Sequence, residues 1–427
     1  MKTFTAILMF FLFYLSSFAE VPEKIKKELD DLIAEIPSGT KMAIFIYNPL
    51  TQDTLISINH TQSMIPASNT KLFTTATALE LMGGNYFIST KIFADDDFSD
   101  NTINGNIYIK GYGNPTFTSA DLEDLVNQLY QSGLRKITGD IIGDDTYFDD
   151  IYSRDDWIND ERANVKLPPI SAIVIDKNRT VISKKRKGKY RNYFVDVDNP
   201  PLFAAKKLRE KLIEYGIEVS GSAEFKATPD SVVLIAESSI ELKDLMAMIN
   251  KESNNFYAEC LFKTIGAVSS GQQGNSFFST QAILNYIDDE GIYSNGTKIV
   301  DGSGISRFDQ VTAGAVAGLL EKIYFNILQF DDFYNSLSIA GIDGTLEKRM
   351  RGTAAENNFR GKTGTLNGVS SISGYVTNQD GDDIIICIMF EFTKGGARKY
   401  RDIQDNIIEV VARWKNENPD DHSSGFR

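Results

Sequence analysis

Pro66-Ala67-Ser68-Asn69-Thr70-Lys71-Leu72-Phe73-Thr74-Thr75-Ala76 is the stretch on which the reading of this chain turns. It predicts a helix that opens near Ser68 and stops at Gly83-Gly84, a strong C-terminal signal. Residues three apart on a helix share a face, which sets Lys71 beside the Ser68 hydroxyl. The helix N-terminus adds unpaired N–H groups and a partial positive charge, both useful to an oxyanion. Taken alone, Ser68 reads as an ordinary N-cap. A second Ser-x-x-Lys, Ser38–Lys41, follows Pro37 in a turn leading into a strand, so its lysine is expected to point elsewhere.

Absent residue types narrow the chemistry. The 427-residue chain has two histidines, His60 and His422, and two cysteines, Cys260 and Cys387. His60 falls at a strand end and His422 in a polar tail, so neither a Ser-His-Asp triad nor a His/Cys zinc site fits well. A hydrolytic serine here needs another base, and lysine beside serine is the known solution. The two cysteines read as separate buried thiols, with a single bridge as the alternative in an oxidising compartment.

Lys362-Thr363-Gly364-Thr365 occurs once, at the start of a β pattern where alternate side chains can point into a cleft. In isolation Lys362 would be a surface lysine at a strand start. Gly364 would let a helix or substrate come close to the strand backbone. Ser-x-Asn occurs at Ser57–Asn59, Ser99–Asn101 and Ser253–Asn255. Ser99 lies in an acidic turn, whereas Ser253-Asn254-Asn255 joins two helical patterns and can reach a cleft, so the last is chosen.

Around these motifs the periodicity predicts helices at 23–36, 254–267, 276–289, 312–325 and 398–415. Strands are predicted at 42–47, 54–58, 371–377 and 384–392. Between them, residues 93–237 turn rich in Asp, Gly and short β-like runs, with helical stretches at 119–132 and 201–215. The expected fold is therefore α/β of the α+β type. An antiparallel sheet flanked by helices is drawn from residues 20–92 and 238–427, interrupted by a mostly β inserted domain at 93–237. Residues 416–427 are expected to form a flexible tail.

The first 19 residues read as a secretory signal: Lys2, an apolar run over 6–15, and the small-x-small site Ser17-Phe18-Ala19. An uncleaved anchor is the alternative; with the signal cleaved, membrane association is expected to be at most loose. The net charge of −14 argues against nucleic acid as a partner. Lys184-Lys185-Arg186-Lys187-Gly188-Lys189-Tyr190-Arg191 stands out against it and reads as a solvated hairpin or loop over an anion-binding patch.

Ser68–Lys71, Ser253–Asn255 and Lys362-Thr363-Gly364 together form the motif set of penicillin-binding proteins and serine β-lactamases. Further stretches narrow this: Gly113-Asn114-Pro115-Thr116, Ser253-Asn254-Asn255-Phe256-Tyr257-Ala258-Glu259, Asp301-Gly302-Ser303-Gly304-Ile305-Ser306-Arg307, and the run from Ala340-Gly341-Ile342-Asp343-Gly344-Thr345-Leu346 to Gly374-Tyr375-Val376. With them the chain resembles the type-four low-molecular-mass penicillin-binding proteins, the D-alanyl-D-alanine carboxypeptidase/endopeptidase family. It departs where that family commonly nests a further small domain in the insertion. Only residues 178–197 lie there, so that domain is expected to be missing or reduced to a hairpin.

The resemblance implies an acyl-enzyme hydrolase of peptidoglycan stem peptides, exported and with no metal or organic cofactor. Ser68 would be the nucleophile and Lys71 its base, made neutral by desolvation and by repulsion from Lys362. Ser253 would relay a proton to the departing amine, and Asn255 would orient Lys71 or the substrate amide. Lys362, Thr363 and Thr365 would hold the terminal carboxylate, and the backbone N–H groups of Ser68 and Thr365 the oxyanion. β-Lactam antibiotics would acylate Ser68 as covalent inhibitors. The rival readings are a serine β-lactamase, which the insertion and the Asp301–Arg307 stretch disfavour, and a catalytically silent cell-wall-binding protein.

Overall fold

The run Asp383–Glu391 is apolar at seven consecutive positions, and its neighbours show why. Ile385, Cys387 and Met389 enter one hydrophobic core, while Ile384, Ile386, Ile388 and Phe390 enter another. Successive side chains of a strand point to opposite faces. A strand covered on both sides is therefore continuous in hydrophobicity rather than alternating. Lys41–Tyr47 repeats the pattern beside it, with Ala43 and Tyr47 in the first core and Ile44 and Ile46 in the second.

The computed structural model describes residues 23–96, 100–157, 167–186 and 189–415. The expected signal (1–19), the expected tail (416–427) and Ser99 lie outside the described residues. Six strands form the main sheet in the order Ser338–Ile339, Arg360–Leu366, Val369–Thr377, Asp383–Glu391, Lys41–Tyr47 and Thr54–Ile58. Every pair in it is antiparallel. Its centre joins the two ends of the chain, with Ile44 opposite Ile388. On one face pack the helices Thr70–Met82, Leu242–Lys251, Asn255–Ser270, Ser276–Asp289 and Ala313–Phe325. On the other lie Glu23–Ala34 and Ala397–Ala412. The α/β fold class expected from the sequence is the one observed.

A second module holds a five-stranded sheet ordered Ala223–Phe225, Ile141–Asp144, Ile107–Gly111, Phe87–Ala94 and Val233–Glu241, mixed parallel and antiparallel. Its outer strands place the bounds of this sheet at Phe87 and Glu241, a few residues outside the range 93–237. Helices Ser119–Gln131 and Pro200–Glu214 close its core. The first is fixed by a capping box in which Thr118 and Asp121 satisfy each other's backbone N–H groups. The described residues of the basic run, 184–186 and 189–191, lie on an exposed two-stranded ribbon, Arg179–Arg186 against Lys189–Asp196. Cys260 and Cys387 are both buried free thiols. No helix among the described residues is long and apolar enough to cross a membrane.

Candidate active site

Ser68 sits in a single 3-10 turn, Ala67–Asn69, which runs into the α-helix Thr70–Met82. In a 3-10 turn side chains at i and i+3 eclipse one another, so Lys71 is brought over Ser68 more directly than along an α-helix. The simple N-cap reading of Ser68 does not hold, because Pro66 and Asn69 occupy the cap positions and neither makes a side-chain cap bond. Ala67 adopts the left-handed region at φ +49°, a conformation costing roughly 1 kcal/mol for a residue with a β-carbon. Two glycines hold this turn from opposite sides. A β-carbon on Gly304 (φ +76°) would collide with the Ala67 carbonyl, and one on Gly364 would stand 2.7 Å from the Pro66 carbonyl oxygen and 3.0 Å from the Ser68 nitrogen.

Lys71 Nζ lies 3.0 Å from Ser68 Oγ and donates at 2.6 Å to both Asn255 Oδ1 and the Ser303 carbonyl. A neutral amine has two N–H bonds and one lone pair. With two carbonyl acceptors on two sides, the lone pair is left facing the Ser68 hydroxyl. The group is fully buried, and desolvation lowers it to about 7, held from falling further by the buried carboxyls of Asp301, Glu259 and Asp309.

Those three acids form a cluster that sequence reasoning left without a role. Glu259 Oε1 accepts from the N–H groups of Gly302 (3.1 Å) and Ser303 (2.8 Å). Asp301 Oδ1 accepts from Gly304 N (2.7 Å), and its Oδ2 from Ser306 N (2.8 Å) and Trp157 Nε1 (3.1 Å). Asp309 Oδ1 accepts from Val300 N at 2.7 Å. Burial and Asp301 raise the Glu259 carboxyl to about 8, and burial raises Asp309 well above the usual carboxylate range. The signal available beforehand was Asp301-Gly302-Ser303-Gly304 itself, an acid beside glycines in a segment with no helical or strand period.

Lys362 and Thr363 lie on the strand Arg360–Leu366. Lys362 is fully buried, and desolvation followed by the nearby Lys71 drives its amine well below the usual lysine range. Its Nζ donates to the Thr363 carbonyl at 2.9 Å. Thr365 is exposed on the cleft wall. A row of hydroxyls ties this strand to the Ser253 loop. Thr363 Oγ1 donates to Thr345 Oγ1 (2.9 Å), which is 3.3 Å from Ser338 Oγ, which in turn donates to the Lys251 carbonyl (3.1 Å). Ser253 occupies the turn after Lys251 in a left-handed conformation, φ +55°. Among the described residues its hydroxyl bonds to no other site residue, so direct bonds join Ser68, Lys71 and Asn255, whereas Ser253 is near through the chain.

The remaining motif residues behave as their contexts suggested. Lys41 turns away to Glu391 (2.9 Å) and the Ser63 carbonyl, and His60 pairs with Ser57 and stacks on Phe45. Ser68, Asn255 and Thr365 open on a cleft of about 990 Å3 whose far walls carry Trp157, Arg307 and Glu391. Trp157 comes from the second module, on a segment held by the two-point pairing of Arg154 with Asp156 (3.0 Å each). Arg154 also donates to the Val300 carbonyl at 2.6 Å.

The sequence pattern of the D-Ala-D-Ala carboxypeptidase 3 (S13) family matches residues 25–193 and 183–414. A D-alanyl-D-alanine carboxypeptidase of Actinomadura sp. (strain R39) is 28% identical, covering 85% of this chain and 79% of its own. The D-alanyl-D-alanine carboxypeptidase DacB of Haemophilus influenzae is 24% identical over 87% of this chain and 90% of its own. The crystal structure of penicillin binding protein 4 from Haemophilus influenzae shares the fold, with a TM-score of 0.78 at 21% identity over 90% of this chain and 99% of that one.

Proposed function

The chain belongs to the D-Ala-D-Ala carboxypeptidase 3 (S13) family, and from that premise we propose that it releases the terminal D-alanine of peptidoglycan stem peptides through an acyl-enzyme on Ser68. The observation that carries this reading is the fork at Lys71, whose two N–H bonds are taken by Asn255 and Ser303 while Ser68 Oγ waits at 3.0 Å. A lysine near 7 gives a useful neutral fraction at neutral pH, where an unperturbed one gives almost none.

Ser68 Oγ attacks the carbonyl carbon of the penultimate D-Ala as its proton passes to Lys71. The oxyanion is stabilised by the backbone N–H groups of Ser68 and Thr365, a reading supported by the close approach of Gly364 to the Ser68 nitrogen. The C–N bond then breaks, and the leaving amine takes a proton, with the Ser253 hydroxyl as the relay. Lys362, desolvated and next to the hydroxyls of Thr363 and Thr365, receives the terminal carboxylate, which restores its charge. Asn255 keeps Lys71 in place throughout. Water hydrolyses the ester and returns Ser68. A penicillin acylates the same oxygen but keeps its leaving group attached. The enzyme works outside the cytoplasm, a reading supported by its N-terminal sequence.

Labelling with a fluorescent penicillin, alongside release of D-alanine from a stem pentapeptide, tests the assignment. Wild type is expected to label and to release D-alanine, and Ser68→Ala to do neither. Labelling that persists in Ser68→Ala overturns the mechanism.

A further inference from the structure

The ribbon Arg179–Arg186/Lys189–Asp196 takes no part in the site above, and its surface is unusual for this chain. Between residues 180 and 195 there are six basic residues and no acidic one, in a protein of net charge −14. The same ribbon exposes large apolar side chains: Phe194 at 78%, Tyr190 at 72% and Val181 at 50% of their full surface. The register sorts them. Val181 faces Phe194 and Lys185 faces Tyr190, while Lys184 faces Arg191 and Arg186 faces Lys189. Opposed residues share a face, so Val181, Phe194, Lys185 and Tyr190 lie together, apolar towards the base and aromatic-with-basic towards the tip. The other face is basic at its tip.

A two-stranded ribbon exposed on both faces is marginal in water, and nothing among the described residues covers it. Arg179–Asp196 (3.0 Å) and Ser183–Asn192 (2.5 Å) hold it in register rather than bury it. Two kinds of anionic partner would attract its charge. A soluble polyanion needs only the lysines and arginines. An anionic bilayer rewards both faces, because Val181, Phe194 and the ring of Tyr190 can enter the interface with Lys185 at the headgroups, while the basic residues of the other face add charge attraction. We infer that this ribbon is a peripheral anchor that lays its Val181–Phe194 face on an anionic phospholipid surface, while the basic residues of its other face, within about a Debye length, add attraction. The acidic remainder of the chain is repelled by that surface and turns the molecule so that the ribbon leads. Each basic residue near such a surface strengthens binding roughly fivefold, and salt screens that contribution.

Flotation of the purified protein with vesicles tests this. Vesicles of phosphatidylglycerol mixed into phosphatidylcholine are compared with phosphatidylcholine alone, using penicillin labelling of Ser68 to verify that each variant is folded. Wild type is expected to float with the anionic vesicles, not with the neutral ones, and to be released by salt. Lys184→Glu with Arg191→Glu should weaken flotation at least tenfold, and Tyr190→Ser with Phe194→Ser at least threefold at unchanged charge. Phe194→Trp should show a blue-shifted emission on adding anionic vesicles, which reads insertion without disrupting the ribbon. Equal flotation with neutral vesicles, or no blue shift, overturns the anchor. So does binding to soluble polyphosphate without flotation, which assigns the ribbon to a polyanion. Self-association abolished by the same variants, again without flotation, assigns it to a second copy.

Discussion

Ser303 offers its main-chain carbonyl to Lys71 at 2.6 Å, a second acceptor beside the Asn255 carbonyl, and so decides which way the lysine's lone pair points. A base oriented in this manner acts only when neutral. Protonation fills the lone pair, so activity is lost as pH falls through the lysine's value of about 7. Acylation of Ser68 by a penicillin should therefore rise about tenfold between pH ~6 and ~8 and then level off. Stopped-flow acylation across that range checks it, and a flat profile would mean that Lys71 is not the titrating base.

Glu259 sets the Ser303 carbonyl by accepting from the Gly302 and Ser303 N–H groups. Burial and Asp301 raise its carboxyl, and it serves the two N–H groups as a hydrogen-bond acceptor. Glu259→Gln keeps an acceptor oxygen and should acylate within about threefold of wild type at pH ~7. Glu259→Ala orphans two buried N–H groups. It should lower unfolding stability by about 1–3 kcal/mol and acylation by at least an order of magnitude. Denaturant titration with penicillin labelling compares the two, and equal damage from Gln and Ala would show that the charge itself is needed.

Much of this was legible beforehand because it is local. The helix Ser276–Asp289 ends where its period and turn signals end, and Gly83 stops the Ser68 helix in a positive-φ conformation. The antiparallel sheet built from both chain ends was also expected, since Lys41–Tyr47 and Asp383–Glu391 each read as β. What stayed hidden depends on tertiary burial. Glu259 looks like one helical acid among many until Gly302 and Asp301 close over it. Ser303 acts through a carbonyl that every residue has, so no side-chain pattern could announce it. The two-residue strand Ser338–Ile339 has no period of its own and is held by pairing with Arg360 and Gly361.

Gly364 leaves no room for a larger residue. A β-carbon there meets Ser371 Oγ, the Pro66 carbonyl and the Ser68 nitrogen together. Two of these are backbone, so relief requires the strand to part from the Ser68 turn, moving Thr365 away from the nucleophile. Gly364→Ala should retain the fold but lose about a hundredfold in acylation, the scale expected of a displacement near 1 Å at a reacting centre. Circular dichroism with labelling kinetics decides this, and near-normal acylation would show that the two backbone donors need not be held so closely.

Lys362 is a fully buried amine whose one hydrogen bond among the described residues goes to the carbonyl of its own neighbour, Thr363. Burial and Lys71 both depress it, so the unliganded protein carries an under-satisfied polar group where a substrate carboxylate would bind. Such groups cost stability in the empty enzyme and return it on binding. Lys362→Met, close in length and without the amine, should raise the melting temperature by about 2 °C or more. The same change should cut D-alanine release from a stem pentapeptide at least a hundredfold, since the carboxylate then has no cation to meet. Differential scanning calorimetry and the release assay together read both halves. A variant that is inactive but less stable than wild type would place Lys362 among the residues that hold the fold.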